Sequence, residues 1–153
     1  MAYEQLLLDN QFCFRLYTAS RLLTQVYTPL LNRLGVTYPQ YLVLMVLWEE
    51  DHQPVNDIAK RLRLNTNTIT PLLKRMEAER IVRRVKGRMD RRQVIVSLTE
   101  HGRALRELAA NIPEEMGCRI ICEKFNMEDL LAANGTLDTL ISHLAGQLEQ
   151  SEQ

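Results

Sequence analysis

The sequence predicts a mainly α-helical chain that carries one small β-hairpin. Three features predict it. Apolar residues recur at helical spacing over both ends of the chain, a short helix is followed at once by a polar-faced one in the middle, and two β-branched stretches flank a basic turn.

At the N-terminal end, Leu8, Phe12, Leu16, Ala19, Leu23, Val26 and Leu30 recur every three or four positions and mark one long amphipathic helix. Asp9 is placed to favour its start and Gly35 to close it. Pro29 should bend it near the end, because proline lacks the backbone donor and crowds the preceding turn. Thr37 then reads as an N-cap, with Pro39 in the first turn of a helix through YLVLMVLWEE; apolar on nearly every side, that helix belongs in a core. Residues 55–62 predict about two turns of helix with Ile58, Ala59 and Leu62 inward, and a tight turn follows. Residues 66–79 carry Ile69, Leu72, Leu73 and Met76 on one side and Thr66, Asn67, Thr68, Thr70, Lys74 and Arg75 around the rest. Pro71 is tolerable there if Asn67 is the cap, since the proline then falls in or just past the first turn. Residues 81–85 and 93–98 alternate as strands joined by GRMDRR. Thr99 caps a helix expected to continue, bent at Pro113, through Cys118 and Cys122 to about Lys124. Asn126 and Asp129 mark the start of a last helix with Leu130, Leu137, Leu140, Leu144 and Leu148 on its apolar side and Gly135 as an interruption.

A short helix, a turn, a polar-faced helix and a hairpin follow the order of a winged helix-turn-helix. Charge agrees with that reading. The net charge is zero, yet from Lys60 to Arg92 there are 12 Lys/Arg against 3 Asp/Glu, a balance of +9, and the remainder carries −9. A basic third suits a face that meets phosphates, whose attraction acts locally. Early residues of a helix in the major groove reach base edges. Thr66, Asn67, Thr68 and Thr70 are short hydrogen-bonders fitted to bases or nearby phosphates, although Asn65 or Asn67 also serves as a cap. Lys74 and Arg75 suit phosphate. In the hairpin tip, Arg88, Arg91 and Arg92 suit the minor groove, where the potential is most negative, and Asp90 is placed to orient Arg92 by a charge-assisted hydrogen bond.

The long amphipathic helices at the two ends lack partners within one chain, so a homodimer is expected. With 153 residues the chain fits one domain: a winged helix-turn-helix lobe over 37–98, with dimerisation helices in 1–36 and 99–150. The N-terminus has no basic leader and no apolar run approaches the roughly 20 residues of a bilayer span, so no membrane association and a cytoplasmic location are expected. The three cysteines, Cys13, Cys118 and Cys122, are too few for a disulfide framework. Cys118 and Cys122, four apart on an expected helix, share a face, but His52, His101 and His143 show no ligand spacing. No metal site and no cofactor are expected.

The stretch DRRQVIVSLTEHG after the helix-turn-helix resembles the MarR family of winged-helix repressors. That likeness covers about residues 10–150, and more narrowly FCFRLYTASR, VTYPQYLVL and TITPLLKRME are similar to its OhrR branch, the organic-hydroperoxide-sensing repressors. The resemblance implies that Cys13 is the peroxide-sensing thiol, that Tyr27 and Tyr38 are its phenol partners, and that organic hydroperoxide is the oxidant. It also implies a two-cysteine type in which a distal cysteine of the partner subunit, Cys118 with Cys122 in reserve, resolves the oxidised thiol and releases an inverted-repeat operator in double-stranded DNA. The family usually has glycine after the recognition helix, where Arg80 stands; the helix end then adopts a costly left-handed cap or closes otherwise. Cys13 and Tyr27 lie on one helical stripe but 14 residues apart, roughly 21 Å, so Tyr27 would have to reach Cys13 from the other subunit of an antiparallel pair. Peroxide chemistry needs a thiolate, which phenol donors and a nearby helix start both favour. The alternatives are a small-molecule-responsive MarR-type regulator with structural cysteines and, from another class, a thiol peroxidase, for which the basic wing would have no use.

Overall fold

The first long helix, α1 (Phe12–Leu31), starts four residues later than the apolar repeat implies. The preceding chain is held in two 3-10 turns, Glu4–Leu6 and Leu8–Asn10. There Asn10 donates its side-chain amide to the Glu4 carbonyl at 2.8 Å and Gln11 to the Gln5 carbonyl at 2.7 Å. Such local side-chain bonds compete with a helical ladder. Pro29 lies inside α1, and the chain leaves through Gly35 in the left-handed region, φ 68°, with the Val36 N–H returning to the Leu31 carbonyl. In this computed structural model, which describes residues 3–151, the chain forms two compact units, Met1–Ile112 and Pro113–Gln153.

Helix α2 (Tyr38–Glu49) opens on the Thr37 capping box, with Gln40 accepting the Thr37 N–H at 2.9 Å. Gln40 is buried, and its amide donates to Glu79 at 2.7 Å, so a polar side chain in the core is satisfied from both ends. The helix-turn-helix consists of α3 (Val55–Arg61) and α4 (Thr66–Ala78). The cap of α4 is Asn65, not Asn67: its Oδ1 accepts the Thr68 N–H and hydroxyl, both at 2.9 Å. Asn67 is therefore the second helical residue and Pro71 the sixth. Pro71 sits inside the helix, and the Asn67 carbonyl four residues earlier has no intrahelical donor.

Beyond α4, Arg80 takes φ 59°, the costly left-handed alternative, and closes the helix as a glycine would. Its N–H bonds the Glu77 carbonyl at 3.0 Å and that of Ile81 bonds the Met76 carbonyl at 2.9 Å. The wing strands β2 (Val82–Lys86) and β3 (Val94–Leu98) pair antiparallel from Val82 opposite Leu98 to Lys86 opposite Val94. A third strand, β1 (Gln53–Pro54), pairs with the other side of β3, giving the order β1-β3-β2. Two residues, one of them proline, leave no periodicity to read; proline is accepted because this is an edge strand.

Thr99 caps α5 (Glu100–Ala109), accepting the Gly102 N–H at 3.0 Å. The single bent helix expected from 99 to 124 is instead two helices. Pro113 deprives the Ala109 carbonyl of its donor and crowds it, and α5 stops at Ala109; the proline then serves in the first turn of α6 (Ile112–Ile120). Helix α6 stops at Ile120, so Cys122 lies off the helix that carries Cys118. It faces Phe125 in a two-residue bridge, with backbone bonds of 2.9 and 3.2 Å. Asn126 caps α7 (Met127–Ser151), accepting N–H groups of Glu128 and Asp129, and this helix runs unbroken through Gly135.

The first unit's core is built on Leu44, Leu47, Ile58, Ile69, Leu73, Met76, Val82 and Val96. Helix α1 adds only Leu30 and Leu31, leaving Phe12, Leu16, Leu23 and Val26 exposed. Leu131, Ile141, Leu144 and Leu148 of α7 are likewise exposed. Among the described residues no helix is long and apolar enough to cross a membrane.

Candidate nucleic-acid interface and redox site

Helix α4 turns Ile69, Leu73 and Met76 into the core at spacings of four and three, and so must turn its polar set outward. Thr66, Asn67, Thr68, Lys74 and Arg75 are exposed and Thr70 is half-buried. Thr68 also belongs to the cap, since its hydroxyl donates to Asn65.

At the wing tip, the Gly87 N–H bonds the Gln93 carbonyl at 2.8 Å and the Gln93 N–H bonds the Asp90 carbonyl at 3.1 Å. A Cβ on Gly87 would stand 2.6 Å from the Asp90 carbonyl oxygen, so only glycine allows this closure. Asp90 accepts from the Arg92 backbone at 2.9 Å and from its Nε at 3.4 Å. The Arg92 side chain is 94% exposed, held at its base and free at its head. Arg88 and Arg91, with Lys86 and Gly87, line an open concavity of about 420 Å³ on the same tip. Two cationic surfaces, α4 and the wing, thus stand on elements joined by a single turn at Arg80.

The cysteines are free and exposed. Cys13 is the second residue of α1 and Cys118 lies within α6. Tyr27 packs against Tyr38 with ring centroids 4.9 Å apart and against Tyr41 at 6.1 Å. Burial, and then Tyr38 and Tyr41, push the Tyr27 phenol above its ordinary titration range, so it remains a protonated donor. The fold brings Tyr27 and Tyr38 together and leaves Cys13 about 14 residues up the same helix, roughly 21 Å away. Among the described residues, no group of three or more His, Cys, Asp or Glu side chains is placed to hold a metal.

Residues 25–108 match the family described as "Transcriptional regulator SarA/Rot". The chain is 42% identical, over 93% of its own length and 95% of the relative's, to the organic hydroperoxide resistance transcriptional regulator of Bacillus subtilis. The chain belongs to the MarR family of winged-helix transcriptional regulators, in its organic-hydroperoxide (OhrR) branch. Solved structures agree. Reduced AbfR bound to DNA superposes with a TM-score of 0.76 at 38% identity, covering 95% of this chain and 99% of that one; AbfR comes from Staphylococcus epidermidis. Its disulfide form has a TM-score of 0.65 at 36% identity, over 94% and 95% of the two chains. AbsC, a MarR family regulator from Streptomyces coelicolor, gives 0.76 at 26% identity, over 95% and 98%.

In this MarR-family chain the wing is fixed to its lobe by carboxylates that sequence reasoning missed. Asp51, just past the end of α2, accepts the Leu98 N–H and the His52 N–H at 2.8 Å each and pairs with Arg103 at 2.9 Å. It joins the root of β3 to α5. Burial opposes its ionisation, but the Leu98 and His52 amides and then Arg103 outweigh that, and its carboxyl titrates below the ordinary value. Glu77 of α4 accepts from the Arg84 backbone at 3.1 Å and its Nε at 3.0 Å, fixing β2 to α4; the Arg84 side chain is the main cause of its lowered titration. One signal was available in the sequence. Acidic residues at a helix C-terminus are electrostatically misplaced, and Glu49 ends α2 with Glu50 as its cap and Asp51 next.

Proposed function

We propose that the protein is a homodimeric, cytoplasmic repressor that binds an inverted-repeat operator when reduced and releases it when organic hydroperoxide oxidises Cys13. Thr66, Asn67, Thr68 and Thr70 read or position on the major groove, Lys74 and Arg75 neutralise phosphate, and Arg88 and Arg92, the latter oriented by Asp90, enter the minor groove. The lobe at 37–98 reads DNA, and the helices in 1–36 and 99–150 hold two copies together as one domain each.

The observation that carries the sensor reading is the placement of Cys13 at the start of the exposed helix α1 and of Tyr27, packed on Tyr38 of α2, towards its other end. Two antiparallel copies of α1 bring each thiol beside the other subunit's phenols, and the exposed apolar residues of α1 are covered by the same contact. The Cys13 thiolate attacks the distal peroxide oxygen. The O–O bond breaks, the alcohol leaves with a proton, and Cys13 becomes a sulfenic acid. The thiolate of the partner's Cys118 then attacks the sulfenic sulfur and releases water, forming an intersubunit disulfide, with Cys122 the substitute. The AbfR structures, one reduced and bound to DNA and one disulfide-formed, support such a cycle in a relative.

Treatment with cumene hydroperoxide should release the promoter fragment next to the protein's own gene in a gel shift, and reductant should restore binding. Non-reducing electrophoresis should show a covalent dimer that Cys13→Ser and Cys118→Ser each lose. A monomer band alone overturns the resolving step, and retained peroxide response in Cys13→Ala overturns the sensor.

A further inference from the structure

The turn between α3 and α4 has one backbone position in the left-handed region, and arginine occupies it. Arg63 has φ 52°, with its N–H on the Lys60 carbonyl at 3.1 Å and the Leu64 N–H on the Ala59 carbonyl at 2.9 Å. This is the glycine-favouring helix closure that recurs at Arg80, φ 59°. A left-handed arginine costs stability that glycine would not, so the position itself gives no reason for arginine to stand there.

Arg63 is exposed and, among the described residues, has no carboxylate partner, whereas the neighbouring Arg61 pairs with Glu49 at 2.7 Å. We infer that Arg63 is a further phosphate-binding residue of the reading head, gripping the DNA backbone beside the groove that α4 enters. The inference rests on the DNA-reading function proposed above. Its geometry follows from chain length. Arg63 lies three residues before Thr66, so their Cα atoms are at most about 11 Å apart, while the major groove is about 12 Å wide. With Thr66 in the groove, one wall of phosphates falls within reach of the Arg63 guanidinium. The two helix-closing hydrogen bonds fix the backbone from which it extends, so little main-chain freedom is lost on binding.

The test compares Arg63→Gly, Arg63→Lys and Arg80→Gly. Arg80 shares the conformation and the charge but lies at the far end of α4, about 20 Å along a helix of this length. Both glycine variants should melt about 2 °C higher, because the left-handed position is relieved. Affinity for the promoter fragment next to the protein's own gene, and for random duplex, should fall roughly tenfold in Arg63→Gly alone, with the slope of log K against log salt shallower by about 0.9 for each subunit bound. Arg63→Lys should retain the slope. An unchanged slope in Arg63→Gly, or an equal loss in Arg80→Gly, overturns the contact while leaving DNA reading intact; failure of the unaltered protein to bind either duplex overturns the reading function itself and the contact with it.

Discussion

Single side chains fix the attitude of the wing in this molecule. Asp51 is depressed in its titration by two backbone amides and Arg103 against the cost of its burial. The unfolded chain therefore takes up this proton before the folded one does. Stability from Asp51 is complete above the ordinary carboxylate value of about 3.9 and declines as pH falls through the lower folded value. Thermal melts of Asp51→Asn should be lower than wild type near neutral pH and should depend less on pH between about 5 and 3, with Glu77 supplying part of the remaining dependence. A parallel pair of pH profiles would remove Asp51 from this role. Gly102 acts by absence: a Cβ there would overlap the Ile81 carbonyl, a backbone atom that cannot rotate away, while the Gly102 carbonyl accepts the Trp48 indole at 3.0 Å. Gly102→Ala should cost about 2 kcal/mol or more, read by urea unfolding. The glycine was visible in the sequence as part of the family-like stretch, whereas Asp51 carried only the weak signal of an acid at the wrong end of a helix.

Elements were legible where their cause is local. The Thr37, Thr99 and Asn126 caps and the α3-turn-α4-wing order all follow from residues within a few positions of one another. Two features that escaped the sequence reading have a cause outside the local window. β1 exists because β3 offers it an edge, and Cys122 leaves its expected helix because the segment after α6 folds back on Phe125. At Pro113 the proline was legible, yet the residues alone did not decide between a bend and a break. Gly135 was expected to weaken α7 but sits in an unbroken helix, and a Cβ there meets nothing within 4 Å. Gly135→Ala should therefore stabilise the folded protein by about 0.5–1 kcal/mol through backbone entropy, seen as a higher urea midpoint with unchanged slope. A lower midpoint would mean that another chain packs against that position.

At the scale of the whole molecule, the proposed sensor and the proposed dimer depend on one contact. If Cys13 of one copy meets Tyr27 of the other, and the pair is symmetric, then positions on α1 pair so that their numbers sum to a constant, and the residue that meets its own copy lies midway, at Ser20. Ser20 is exposed and shares the stripe of Cys13, Tyr17, Thr24 and Tyr27, so the two-fold axis should pass beside it. A disulfide needs Cα atoms within about 7 Å, a condition that a residue on the axis between crossing helices can meet and one a turn away generally cannot. Ser20→Cys, placed in a chain whose Cys13, Cys118 and Cys122 are all serine, should therefore form a covalent dimer under mild oxidation without peroxide, whereas Thr28→Cys in the same background should remain monomeric on a non-reducing gel. Cross-linking through position 28 but not 20, in a protein that light scattering shows to be dimeric, would mean that the helices cross elsewhere and that Tyr27 does not serve the partner's thiol.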